Sequence, residues 1–480
     1  MSTARTRRDF LKLSAAGLAA GAATESLPAW ASVSSANPGS GEITVRVTDE
    51  KRRFERASAV AWRPSSGPTP SGEIIKLNPE KKFQEILGFG AAFTDASCYI
   101  FNRLSAEARE QLFHELFHPS ELGFNVCRTC IGASDYSTEI YSFDEGEPDL
   151  ELNRFSIDHD RAYLLPVLRE ARKVNPDLFL FSSPWSPPGW MKANGSMLGG
   201  SMRKKYFASY AQYFLKFLQA YAGAGVPIQA VTSQNEVDTD QDGRMPACLW
   251  GQEYEIEFVK EHLGPMLRAN GIPAKIWLLD HNYNLWGRAI CELDDPGLRN
   301  YVNAVAWHGY AGDASMVSKV HDAHPDAEMY WTEGGPDYTD PGYATAWVQW
   351  GRTFIEVLRN WGQSITGWNL ALDENGRPNI GPFSCGGLVT INSRTKEITR
   401  SGQYWAFAHF SRLIGRGARR FDSEGELTGI SHAAFANPGG TFVLVVTNSG
   451  TAQVATVQIG TMQADIALAK DSVTTWAWSK

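Results

Sequence analysis

The chain lacks any surplus of positive charge. Its 480 residues carry 45 Lys and Arg against 53 Asp and Glu, a formal net charge of −8. Nucleic acids and anionic membrane surfaces are recognised through a basic excess, which is missing here. Long apolar runs are missing too: nothing after the N-terminus approaches the ~18 apolar residues of a membrane span. Cysteine is sparse, six residues at positions 98, 127, 130, 248, 291 and 385. Cys127 and Cys130 lie in the strand-like FNVCRTCIG, where residues three apart point to opposite faces. That excludes a shared metal or a redox dithiol and makes them core residues. No G-x-G-x-x-G follows any apolar run, so a dinucleotide site has no support. No cofactor is implied, and nothing speaks to oligomeric state.

Aromatic residues, in contrast, are plentiful, with 16 Trp, 16 Tyr and 24 Phe. With 43% hydrophobic residues they can fill one large barrel core and an accessory domain. Most of the tryptophans belong to that core; a handful are candidates to stack on pyranose faces in a cleft. The N-terminus carries Thr6-Arg7-Arg8-Asp9-Phe10-Leu11-Lys12, then the weakly apolar LSAAGLAAGAA, then Ala29-Trp30-Ala31. That order is a twin-arginine export signal with a small-x-small cleavage site, and it predicts a periplasmic or secreted protein.

From residue 83 onward one unit recurs: a short β-rich run ending in polar or small residues, followed by an amphipathic helix. The runs are 85–95, 124–135, 178–185, 228–236, 275–282, 304–310, 328–335 and 365–373. The clearest helix places Tyr206, Phe207, Tyr210, Tyr213, Phe214, Phe217, Leu218 and Tyr221 at i, i+3, i+4, i+7 spacing. Eight such units predict an α/β fold, a (β/α)8 barrel. After YWAFAHFSRLI the pattern changes to short strands broken by Gly, Pro, Asn and Asp, which predicts a β-sandwich. The N-terminal ITVRV is expected to join it. The expected division is a signal (1–31), a linker with N-terminal sandwich strands (32–79), the barrel (80–415) and the C-terminal sandwich (416–480).

In such a barrel, functional groups sit at the C-terminal ends of strands. Those ends carry Asp95, Asp135, Trp185, Asn235-Glu236, His281, His308 with Tyr310, Glu333 and Trp368-Asn369. Glu236 ends the fourth run and Glu333 the seventh. Two buried carboxylates beside aromatics point to function or to a structural ion pair.

Six ordered motifs then resemble one family: GFGAAFTDA, SSPWSPPGWMKANG, the Asn-Glu pair, AWHGY, WTEGG and GWNLALDENGRPN. Together they are similar to glycoside hydrolase family 30, which includes acid β-glucosylceramidase. The resemblance implies a retaining β-glycosidase with Glu236 as acid/base and Glu333 as nucleophile. It also implies that Asn235 binds the sugar 2-hydroxyl, while Asp95, Trp185, His308, Tyr310 and Trp368 line the sugar subsite. Its substrates would be carbohydrates or glycolipids: β-glucosides first, with β-1,6-glucan and β-xylosides as alternatives. A retaining mechanism needs Glu236 protonated and Glu333 ionised at the outset, so the expectation is a raised pKa only at Glu236. His308 and Tyr310 are candidates to hold Glu333 charged. The acidic segment 237–250, and Val237 where many members have proline, leave the substrate open.

Three other readings compete. His114-Glu115-Leu116-Phe117-His118 matches H-E-x-x-H, the helix pattern of zinc hydrolases, but it ends the first barrel helix, on the side away from the strand-end cleft. Asp238, Asp240, Asp242 and Gly243 match half a calcium loop, whose twelfth position should be Glu and is Leu249. A non-catalytic carbohydrate-binding protein on the same fold would be expected to have lost one of the two glutamates; both are present.

Overall fold

A computed structural model describes residues 42–65 and 74–479. The export signal and most of the linker lie outside the described residues. Eight strands close into a barrel in which every neighbouring pair is parallel. They are β1 (Gly88–Phe93), β2 (Val126–Cys130), β3 (Phe179–Ser183), β4 (Ala230–Thr232), β5 (Lys275–Asn282), β6 (Val302–His308), β7 (Glu328–Glu333) and β8 (Gly362–Gly367). Each overlaps an expected run, although β6 begins two residues before 304 and β8 three before 365. The first half of β8, Gly-Gln-Ser, is too polar to register as a buried strand. Gly90 is required by close approach, because a Cβ there would overlap the backbone carbonyl of Val126 on β2.

The helices follow the sequence periodicity with two breaks. Pro166 sits in the first turn of helix Leu164–Val174, where its missing N–H costs no hydrogen bond. The segment 252–269 is helical throughout but passes through a π-turn at Phe258–Leu263, just before Pro265. Cys127 packs in the main core and Cys130 beneath the strand-end cleft, in keeping with opposite faces of β2.

The second domain is one continuous, mostly antiparallel sheet folded around its own core of Ile43, Val45, Ile75, Phe421, Leu444 and Trp476. Strand Glu42–Thr48, which contains ITVRV, pairs with Ser472–Ser479, so both chain ends build it. Strand Ile74–Glu85 runs past the expected boundary at 79 and pairs with Arg419–Glu424 and Gln453–Ile459. Helix Gly402–Ser411, the last of the barrel, inserts His409 between Thr48 and Thr475, at 2.8 Å from each hydroxyl. No described helix is long and apolar enough to cross a membrane.

Candidate active site

Strand alternation builds the site in layers. Inside the barrel Val126, Phe181, Ala230, Trp277, Ala304, Ala306 and Tyr330 form an apolar plug, with Trp277 stacked on Tyr330 at 4.2 Å. Two residues further along the strands the same inward face carries Arg128, Ser183, Thr232, His308 and Thr332. Asp280 reaches this layer by a bulge: Leu279 and Asp280 both take positive φ (70° and 47°), and the β5–β6 register shifts there. A polar layer over an apolar plug is costly unless every member is bonded, and here the bonds converge on Asp280. It accepts from Ser183 (2.7 Å), Thr232 (2.8 Å), Thr332 (2.8 Å), Arg128 (2.6 Å) and His308 Nε2 (3.0 Å). Burial opposes its charge, but Arg128 and the His308 and Ser183 hydrogen bonds overcome that and hold the carboxyl below the usual range.

The two glutamates stand above this layer, on either side of one imidazole. His308 Nδ1 lies 3.5 Å from Glu236 Oε1, and Nε2 lies 3.8 Å from Glu333 Oε2. Glu333 accepts from Arg128 Nη1 at 2.6 Å and from the Tyr310 hydroxyl at 3.1 Å. Glu236 accepts from the Gln241 amide at 2.8 Å and takes φ of 53°, a strained conformation for a residue with a side chain. Burial also disfavours charge on His308, yet Glu333, Asp280 and Glu236 together raise it to about 9.

The proton balance of the pair differs from the expectation. Burial raises the Glu333 carboxyl, and His308 and Arg128 only partly offset it while the Glu236 charge adds to it. Burial acts on Glu236 too, but His308, His281 and Gln241 bring it below its usual value. The reason is where the neighbours lie: His308 and His281 both face Glu236, whereas Glu333 also feels the charges of Glu236 and Asp280.

The other residues named from sequence fall as follows. Trp185 and Trp368 stack on each other at 5.0 Å, and the Arg128 guanidinium lies 4.8 Å from the Trp185 ring. Asn235 accepts from Arg128 Nη2 at 2.8 Å, which leaves its own NH2 group free to donate into the cleft. Tyr310 holds Glu333 as expected, whereas His308 gives its hydrogen bond to Asp280. Asp95 is held from within the chain: its carboxylate meets the Thr138 N–H (2.7 Å) and hydroxyl (2.9 Å), His159 (2.9 Å) and Tyr163 (2.7 Å). These contacts brace the segment after β2.

Three residues escaped the sequence reading. Arg128 and Asp280 sit inside strands, and the signal for them was a charged residue within an otherwise apolar run. Asp135 was noted only as a polar strand end. It is buried, its Oδ1 has no hydrogen-bond donor, and burial together with the Glu333 and Glu236 charges pushes its carboxyl well up. An unsatisfied buried oxygen beside the glutamates is what a sugar hydroxyl would complete.

The competing motifs resolve on their partners. His114 and His118 stack on each other at 4.3 Å, while Glu115 is paired with the Arg400 guanidinium at 2.5 Å, so the motif is a structural helix end. In the acidic loop Asp238 binds His281, Asp240 caps the turn Gln241–Gly243, and Asp242 pairs with Arg244 at 3.3 Å. The three side chains serve separate partners and form no calcium cage.

Comparison with known proteins bears on the same residues. Residues 86–414 match the family model "Glycosyl hydrolase family 30 TIM-barrel domain" and residues 417–476 the "Glycosyl hydrolase family 30 beta sandwich domain". An endo-1,6-beta-D-glucanase of Neurospora crassa is 33% identical over 437 residues, covering 86% of this chain and 88% of the relative. The lysosomal acid glucosylceramidase of Mus musculus is 28% identical over 427 residues, covering 85% and 83%. Among solved structures, an endo-beta1,6-glucanase superposes with a TM-score of 0.82 at 29% identity, covering 92% of this chain and all (100%) of that one. SrfJ of Salmonella typhimurium gives a TM-score of 0.88 at 26% identity, again covering 92% and 100%. With barrel, sandwich and a carboxylate pair at the ends of β4 and β7, the chain belongs to glycosyl hydrolase family 30 and is an O-glycosyl hydrolase of β-glycosides.

Proposed function

We propose that the protein is a retaining β-glucosidase-type hydrolase whose substrate is a β-1,6-linked glucan. The observation that carries the site assignment is the pair of glutamates flanking His308, each with its own hydrogen-bond support. Glu333 attacks the anomeric carbon and the glycosidic C–O bond breaks. Glu236 gives its proton to the departing oxygen, then removes one from the water that hydrolyses the glycosyl ester. The acid step needs Glu236 protonated and Glu333 ionised, the reverse of the directions in the free site. A bound sugar favours this state, because an electron-poor anomeric carbon over Glu333 stabilises its anion and a glycosidic oxygen accepts from protonated Glu236. Asn235 donates to the 2-hydroxyl, Asp135 accepts from a ring hydroxyl, and Trp185 with Trp368 forms the apolar wall.

The glucan reading is supported by the 33% identical fungal glucanase and by the rim. Tyr310, Tyr338 and Phe383, exposed on the loops after β6, β7 and β8, are rings, while the exposed aliphatic residues Ile140 and Leu150 are confined to the loop after β2. Rings present stacking planes to successive sugars, whereas a ceramide tail calls for a contiguous aliphatic patch. Glucosylceramide is the second reading, favoured by the mouse relative. Export through the Arg7-Arg8 leader completes the proposal, and N-terminal sequencing of the exported protein should begin just after Ala31. The deciding experiment compares turnover of β-1,6-glucan, glucosylceramide and an aryl xyloside, with Glu333→Gln as blank. Release of glucose oligomers from the glucan is expected; turnover of the glycolipid alone would reverse the choice.

A further inference from the structure

Two buried nitrogens next to Glu236 have no hydrogen-bond partner. His281 Nδ1 and His308 Nδ1 are both sealed from solvent and both face the Glu236 carboxylate, at 3.8 and 3.5 Å from Oε1. The far nitrogen of each ring is held by a carboxylate: His281 Nε2 by Asp238 at 2.5 Å, and His308 Nε2 by Asp280 at 3.0 Å. The three inward atoms all lie within 4.8 Å of one another, and among the described residues this is the one group of His, Cys, Asp and Glu so arranged.

We propose that Glu236, His281 and His308 form a binding site for a borderline-soft divalent cation of the zinc class. Two imidazoles and one carboxylate, with a fourth position open to the cleft, are a donor set that suits Zn²⁺. Bonds of about 2.0–2.1 Å to a tetrahedral ion put neighbouring ligand atoms roughly 3.3 Å apart, so the two shorter edges need to contract by only a few tenths of an ångström. The wider edge between the two imidazoles closes by rotation of the rings about their carboxylate hydrogen bonds. Those outer carboxylates do what metal sites require: each fixes the ring orientation and raises the basicity of the nitrogen facing inward. Asp238, the first aspartate of the acidic loop, thereby acquires a role that the failed calcium pattern did not suggest. Hard cations such as Mg²⁺ and Ca²⁺, which take six or more oxygens, are poorly served by this set.

Binding itself follows from the donor geometry alone. Its consequence rests on the reading of Glu236 as acid/base. A cation on Oε1 occupies the carboxylate that must carry the proton, so the ion is an inhibitor of glycoside cleavage and not a cofactor for it.

The test titrates the full-length protein with Co²⁺ as a spectroscopic probe and with Zn²⁺. The visible d–d bands of low-coordinate cobalt should appear, zinc should displace them, and the melting temperature should rise with free metal. Asp238→Asn, which removes an outer support, should weaken binding about 10–100-fold. His281→Asn should abolish the bands. His114→Asn with His118→Asn, in the other His–Glu motif, should leave them intact. Absence of cobalt bands up to millimolar metal, full affinity in His281→Asn, or loss in the His114/His118 variant would each overturn the site. If His281→Asn does not fold, Asp238→Asn decides the matter by the same measurement. Zinc should also suppress turnover of an unactivated glucoside more than that of an activated aryl glucoside. Tight binding without that difference would leave the metal site standing and sink the acid/base reading of Glu236.

Discussion

His308 and His409 are both fully buried imidazoles, yet their pKa values are displaced in opposite directions. His308 lies among Asp280, Glu236 and Glu333 and is raised to about 9. His409 lies between two threonine hydroxyls at the junction with the sandwich, where burial first and Arg46 second lower it to about 3. His432, at the same junction, is lowered to about 4, chiefly by burial. Burial by itself therefore does not decide whether a histidine is charged; the groups that replace water around it do. The catalytic end of the barrel surrounds its histidine with carboxylates, and the junction surrounds its histidines with hydroxyls and arginines.

The contrast can be broken most sharply at the site. Glu333→Gln should abolish turnover, and Glu236→Ala should lower it on natural glycosides by roughly 10²–10⁴-fold while sparing activated aryl glycosides. Steady-state kinetics on both substrates reads the difference. Equal loss on both would remove Glu236 from the acid role.

Next in size is Arg128→Met. It strands Asp280 beneath the site without its cation, and removing one partner of a buried pair costs about 3–5 kcal/mol. Denaturant unfolding should show that loss. A variant as stable as the parent would mean that Asp280 is held by the hydroxyls and His308 alone.

The two histidine environments also predict opposite pH limbs. The folded pKa of His308 is raised, so its contribution to stability is complete below the unfolded value of about 6.5 and is lost as pH rises through about 9. His409 and His432 are lowered; below about 6.5 the unfolded chain takes up protons that the folded one refuses, so stability falls as pH drops toward 4 and 3. Each of these contributes at most about 1.4 kcal/mol per pH unit. Asp280, whose folded pKa is lowered, loses its contribution only below the unfolded carboxylate value of about 3.9, outside most of that window. His409→Leu should therefore flatten the melting-temperature slope between pH 6.5 and 4 and leave the alkaline limb in place. An unchanged acid limb would place its origin elsewhere.

The smallest effect is expected at Asp135→Asn. The amide keeps one acceptor but brings a donor against the sugar. It should raise KM by about tenfold, the worth of roughly one hydrogen bond of about 1–1.5 kcal/mol, with little change in melting temperature. A variant with unaltered KM would exclude Asp135 from the sugar subsite.

Much of this architecture was readable in one dimension. Barrel strands alternate with helices, and the two signals differ in period, so all eight strands announce themselves, although β6 and the polar β8 begin earlier than their runs. Glu236 and Glu333 stood out because a carboxylate at the end of an apolar strand has few structural excuses. Asp95 stood out for the same reason, but its partners Thr138, His159 and Tyr163 lie far along the chain and were not legible. Arg128 was hidden by lying mid-strand, where the expectation is an apolar side chain.

The sequence by itself determined the period of each element, the order of the motifs and the residue types at the strand ends, because these depend on local spacing and on which side chains tolerate burial. Only the tertiary structure decided that Arg128, Asp280 and His308 meet, that burial and the Glu236 charge raise the Glu333 carboxyl, and that two histidines turn their Nδ1 atoms toward Glu236. Those outcomes depend on distances of a few ångströms between residues from five different strands or loops, and electrostatic energies in a dry interior change steeply over such distances.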